Sequence, residues 1–154
     1  MATAFNEFDQ YGLGHYPGHL EDRGMADVVS RLAQGSDIGY GLGVVDVDNR
    51  TAKLPTGTEA SNAITIRDSV RDNPAGNNPE AVYPVDHEMS VIRVGRVWVK
   101  TSAGSASGED VFVIPGTGEI TNTSNTGVNI QIVGATFKTA VVAGGIALVQ
   151  LNGN

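Results

Sequence analysis

The sequence contains no cysteine, which excludes disulfides and thiolate metal sites. Small extracellular proteins without disulfides are unusual, so this absence points to assembly in a reducing cytoplasm. No run of about 18 apolar residues occurs, so no membrane-spanning helix is expected. The opening, MATAFNEFDQ, has neither the basic nor the apolar region of a secretion signal. Basic residues are also few, ten against seventeen acidic ones, giving a net charge of −7. They are scattered, whereas a nucleic-acid binder clusters Lys and Arg to neutralise phosphates. No nucleic-acid partner is expected.

What is present is turn punctuation. The 154 residues include 20 glycines and 6 prolines, below the level of a disordered composition but enough to break long helices. A chain of this length fits one domain and can bury about 68–70% of its unfolded surface without staples. The pattern divides it into an arm, residues 1–25, and a single β domain, residues 26–154. The arm shows neither a two-residue nor a 3.6-residue apolar period, yet it holds Phe5, Phe8, Tyr11 and Tyr16, four of the nine aromatics. Disordered tails are poor in aromatics because nothing there buries them, so this arm is expected to dock on its own body, a sister subunit or a foreign partner.

Beyond Asp27 the sequence reads as short strands between turns. DVVSRLA (27–33) fits a strand or one helical turn. IGYGLGVVDV (38–47) is a glycine-rich strand, which signals a bend or a close backbone neighbour. AITIRDS (63–69) puts Ile64 and Ile66 on one face, and residues 71–84 form a long polar loop. Residues 87–101 read as two strands across a tight turn near Gly95, with Val97 and Val99 on one face and Trp98 on the other. EDVFVI (109–114) and the run from 130 to 151 supply further strands. This spacing, without internal repeats, predicts an all-β fold: an antiparallel β-sandwich or barrel, jelly-roll-like, with an extended N-terminal arm.

Candidate chemistry fails position by position, so no catalytic, metal or cofactor site is expected. GSASG (104–108) carries Ala106 where a nucleophile elbow needs serine. His15 and His19 are separated by Pro17 and Gly18, which prevents the helix that would aim both at one metal. DVDNRT begins like a calcium loop at Asp46 and Asp48, but Arg50 occupies a ligand position, Thr51 replaces the glycine and Gly57 the glutamate. GYGLGVV (39–45) has Val44 where a dinucleotide loop needs its third glycine, and no helix follows. The matches to the glycosylation pattern at Asn49 and Asn122 have no secretion signal beside them. The carboxylate pairs Glu21–Asp22 and Glu109–Asp110 read as solvated turn residues.

In order, the body segments resemble one family, the capsid cement or head-decoration proteins of tailed bacteriophages. The resemblance starts in residues 17–45, where a Pro/Gly arm leads to a strand bearing Ile38, Tyr40, Gly41 and Val44. It continues through KLP (53–55), ITIRDS and the segment from Tyr83 to Asp86. It then follows SVIRVGRVWVKT, GEDVFVIPGTGEI and the ending GATFKTAVVAGGIALVQL. It covers most of residues 17–151, and its specificity lies in the order of the pieces. His87 and the long loop at 71–81 depart from the pattern. The resemblance implies a non-enzymatic homodimer or homotrimer, assembled in the host cytoplasm, that binds the major capsid protein on the outer surface of an expanded head. Phe5, Phe8, Tyr11 and Tyr16 are then the expected partner contacts, since aromatics are enriched at interface hot spots.

Two other classes fit length and acidity. One is a small trimeric β nucleotide hydrolase of the dUTPase type, although VVAGGIALVQLNGN has no Arg or Lys to meet phosphate. The other is a carbohydrate-binding β-sandwich with Trp98 as stacking platform, set against the commoner use of a lone Trp as core.

Overall fold

The computed structural model describes residues 17–21, 23–57, 59–67 and 82–152. These residues include eleven strands and one 3-10 turn (Arg23–Met25). The spine is one long strand, β7 (Glu88–Lys100). The sequence suggests a hairpin here; instead the chain continues straight through Gly95, whose φ of 125° bends the strand without reversing it. A Cβ at Gly95 would lie 3.1 Å from Ala26 and from the Ile92 side chain, so the bend and the close packing both require glycine.

The first half of the spine closes a five-stranded barrel. In ring order its strands are β1 (Asp27–Ala33), β4 (Thr51–Lys53), β3 (Gly43–Asp46), β5 (Ala63–Thr65) and β7, which pairs back onto β1. All pairings are antiparallel except β1 with β4. From the second half of β7 the same sheet continues through β11 (Ile146–Asn152), β10 (Ile130–Phe137), β8 (Asp110–Val113) and β9 (Ile120–Thr121). A parallel bridge from Ile120 to Thr101, just past β7, brings this second half back to the spine. The barrel form of the expected all-β fold is the one observed. A separate two-stranded pair, β2 (Ile38–Gly39) with β6 (Val82–Tyr83), covers one end.

Two cores result. Met89 and Val91 point into the first barrel with Ala33, Ile38, Tyr40, Val44, Ala63 and Tyr83. Ile64, Ile66 and Ile92 point the other way and join Val97, Val99, Val113, Ile120, Phe137 and Val149 in the second. The β3–β5–β7 wall is therefore buried on both faces. That is why Ala63, Ile64 and Thr65 are all buried and the strand shows no polar alternation. Burying a Val or Ile contributes roughly 1.5–3 kcal/mol each, while Oδ1 of Asn62 and of Asn122 are buried among the described residues without a hydrogen-bond partner. The Tyr83 hydroxyl donates to the Ile66 carbonyl at 2.6 Å, while its ring meets Tyr40 edge-on at 5.0 Å.

Candidate functional site

Because the sequence offers no catalytic constellation, the features to place are the N-terminal segment, Trp98, the carboxylates and the exposed apolar residues. Residues 18–21 lie antiparallel along the outer edge of β7. Gly18 N–H donates to Trp98 carbonyl at 2.7 Å, Trp98 N–H to His19 carbonyl at 2.9 Å, and Glu21 N–H to Arg96 carbonyl at 3.1 Å. On its other side the Gly18 carbonyl accepts from Arg67 N–H at 2.8 Å. Gly18 and Gly41, both left-handed, face each other so closely that a Cβ on Gly41 would sit 2.9 Å from Gly18 N. The glycine-rich stretch thus serves as a seat for another backbone, as its composition implies. Phe5, Phe8, Tyr11 and Tyr16 lie outside the described residues, as does His15.

Trp98 departs from the core placement usual for a lone tryptophan. It is half-buried on the outward face of β7, opposite Leu148, and its indole N–H donates to the Glu21 carboxylate at 2.7 Å. The ring belongs to the clamp on the N-terminal segment, a link between residues 77 positions apart that no local pattern announces.

The carboxylates cap turns. Asp48 Oδ1 accepts from the N–H groups of Arg50 (2.7 Å) and Thr51 (2.8 Å), which hold its pKa below the ordinary value. The calcium-like DVDNRT is therefore a self-capped turn. Glu59 is held far below the usual carboxylate range, chiefly by the Thr56 hydroxyl and then by Lys53, whose ammonium lies 3.0 Å away. Glu109 differs from the solvated turn residue expected. It accepts from the Asn122 side chain at 2.9 Å and the Ala106 N–H at 2.7 Å, and its pKa is lowered in that order of cause. Among the described residues no group of three or more His, Asp or Glu side chains is placed to hold a metal ion.

Apolar side chains left on the surface are Met25 (75% exposed), Val28, Leu32, Val47, Val85, Val128, Val133 (62%) and Val142 (81%). Met25 borders a groove of about 590 Å³ at the bend of the spine, shared with Val94, Leu151 and the opposite charges of Glu21 and Arg96. A smaller cavity of about 180 Å³ lies where the described chain begins, lined by Pro17, Tyr40, Leu42, Lys100 and Glu119. Both are open to solvent and lined by a mixture of apolar and polar side chains, the groove also by Gln150 and Asn152.

The family model described as structural cement protein (E217 gp24/Pam3 gp6) matches residues 9–152. Among solved structures, a chain in the capsid of Myoviridae phage XM1 is similar at a TM-score of 0.71 and 16% identity, covering 90% of each chain. The head fiber gp8.5 N base of bacteriophage phi29 is similar at a TM-score of 0.49 and 8% identity, over 82% of this chain and 94% of that one. No curated protein matches. At 16% identity the likeness to the XM1 capsid chain is one of fold.

Proposed function

The chain belongs to the family of phage structural cement proteins, and from that premise we propose that it binds the outer surface of an expanded head and bridges neighbouring copies of the major capsid protein. Its role is structural, in the capsid. In this reading it works without turnover, after assembly in the host cytoplasm, as a homodimer or homotrimer. Packaged DNA pushes the shell outward, and a subunit spanning a seam opposes rupture. Each contact need bury only about 800 Å² per partner. Engaging several at once makes the later ones intramolecular, raising avidity by about 10²–10⁴.

The division of labour is an arm, residues 1–25, and one β domain, residues 26–154. One observation supports an arm rooted on the body. Residues 18–21 are clamped between β7 and Arg67, so whatever precedes Pro17 leaves the body from a fixed point. Fixing the root of an extended segment lowers the entropy lost when its tip binds. Phe5, Phe8, Tyr11 and Tyr16 are the anchors in this reading, added to a neighbouring capsid subunit as an extended strand.

The test is deletion of residues 1–16, followed by co-sedimentation with expanded, undecorated heads. Binding should fall by at least tenfold while the melting temperature stays within about 2 °C, because the deletion stops short of the clamp. Unchanged binding would discard the arm mechanism.

A further inference from the structure

Trp98 grips the N-terminal segment at three atoms. Its N–H donates to the His19 carbonyl, its carbonyl accepts from Gly18 N–H, and its indole N–H reaches the Glu21 carboxylate at 2.7 Å. The first two bonds belong to the strand edge, and other residues at position 98 can make them. The third needs a donor carried on the side chain. Its reach is diagonal. It runs from the residue opposite Gly18 and His19 to Glu21, the far end of the paired stretch, whose N–H meets the Arg96 carbonyl at 3.1 Å.

The ring is steadied from below. Val97 and Val99 are fully buried in the second core, so alternation turns Trp98 to the outer face of β7 with its cross-strand partner Leu148. Leu148 is only 7% exposed although it lies on that outer face, and a large ring beside it accounts for the cover. Cover alone needs no polar group, and phenylalanine would serve. An exposed hydrogen bond adds little to the stability of the whole fold, because water competes for both of its groups. Residues 18–21 are a short peripheral stretch, however, and such stretches open locally without global unfolding. There one bond shifts the balance between a seated and a frayed root. We propose that the Trp98 indole N–H is a positioning group for the arm: by closing on Glu21 it keeps residues 18–21 seated on β7 and fixes the point from which residues 1–16 reach a neighbouring subunit. Apparent affinity falls in proportion to the fraction of molecules in the competent state, so a root that frays more often weakens every grip made by the arm.

The proposal rests on the arm reading above and names the side chain that prepares the arm. Trp98→Phe keeps a ring over Leu148 and removes the donor. Glu21→Ala removes the acceptor, and Glu21→Gln retains one. Amide exchange at Gly18 and Glu21 should speed up by about three- to tenfold in Trp98→Phe and in Glu21→Ala. The double variant should exchange no faster than either single one, and Glu21→Gln should stay near the wild type. Affinity for expanded, undecorated heads should fall by a similar factor in the full-length chain, and not at all when the same substitutions follow deletion of residues 1–16. Unchanged exchange in Trp98→Phe overturns the proposal. Faster exchange with undiminished head affinity in the full-length chain overturns it as well. So does an equal loss of affinity with and without residues 1–16, which would make Trp98 a capsid contact in its own right. The deletion by itself separates the two failures: if it weakens head binding while Trp98→Phe does not, the positioning role falls and the arm mechanism stands.

Discussion

Replacing Gly43 by alanine tests whether the two halves of the protein form one packed body. Gly43 stands in β3, and its N–H donates to the Gly118 carbonyl at 2.8 Å, tying the first barrel to the turn after β8. A Cβ there would lie 2.4 Å from Cγ2 and 2.7 Å from Cγ1 of Val113, and 3.1 Å from its Cβ. Val113 is fully buried and held between Ile120 and Ile130 on the adjoining strands, so its methyls have nowhere to turn. The Gly43 backbone is not left-handed, which makes the penalty steric and not conformational. Overpacking of this kind costs about 1–3 kcal/mol. The severity of the overlap puts Gly43→Ala at the upper end, a fall of roughly 6–12 °C in melting temperature for a chain of this size. Val113→Ala alone loses two buried methyls, roughly 1.6 kcal/mol plus the cavity. Val113→Ala also removes both clashing atoms, so the double variant should be less destabilised than the sum of the singles by about 1–2 kcal/mol. Equilibrium urea unfolding followed by the fluorescence of Trp98, the sole tryptophan, measures all four corners. A Gly43→Ala variant as stable as the wild type, or a strictly additive cycle, would refute the shared packing.

Arg31 carries a second prediction. Its Nε lies 3.0 Å and its Nη2 3.4 Å from the two Asp46 carboxylate oxygens, with the guanidinium nearly buried. Arg31→Met should cost about 2–3 kcal/mol, below the full penalty for a buried ion because Asp46 keeps some solvent, and adding Asp46→Leu should restore part of it. A third concerns acid. Asp48, Glu59 and Glu109 all have folded pKa values below their ordinary ones. The stability they contribute is complete above the unfolded carboxylate range and is lost as pH falls through it toward the folded values. Urea midpoints should therefore decline as pH is lowered below about 4.5, and Glu59→Gln should flatten the decline. A midpoint that rises on acidification in this range contradicts the capping geometry.

The sequence alone determined the class of protein. Absence of cysteine and of long apolar runs, scattered basic residues and turn signals between short β-branched stretches sufficed for an all-β body, and ordered motifs from Pro17 to Leu151 sufficed for the family. These are local or composition-borne signals, readable without knowing what lies across space. Gly39–Gly43 advertised a close backbone neighbour for the same reason, since lack of a side chain is visible one residue at a time.

Tertiary structure decided whatever depends on the second partner in a contact. Gly95 reads as a turn, yet the strand continues, because β5 and β11 take successive halves of one edge of β7 while residues 18–33 follow the other. Strand β5 shows no alternation because both its faces are interior, a condition that hydrophobic period cannot encode. Trp98 gains its role from Glu21, 77 residues away. The reach of β4 along β1 is likewise invisible in DVVSRLA: a strand carries the same donors and acceptors whether or not a neighbour arrives, and among the described residues β4 meets only Leu32 and Ala33.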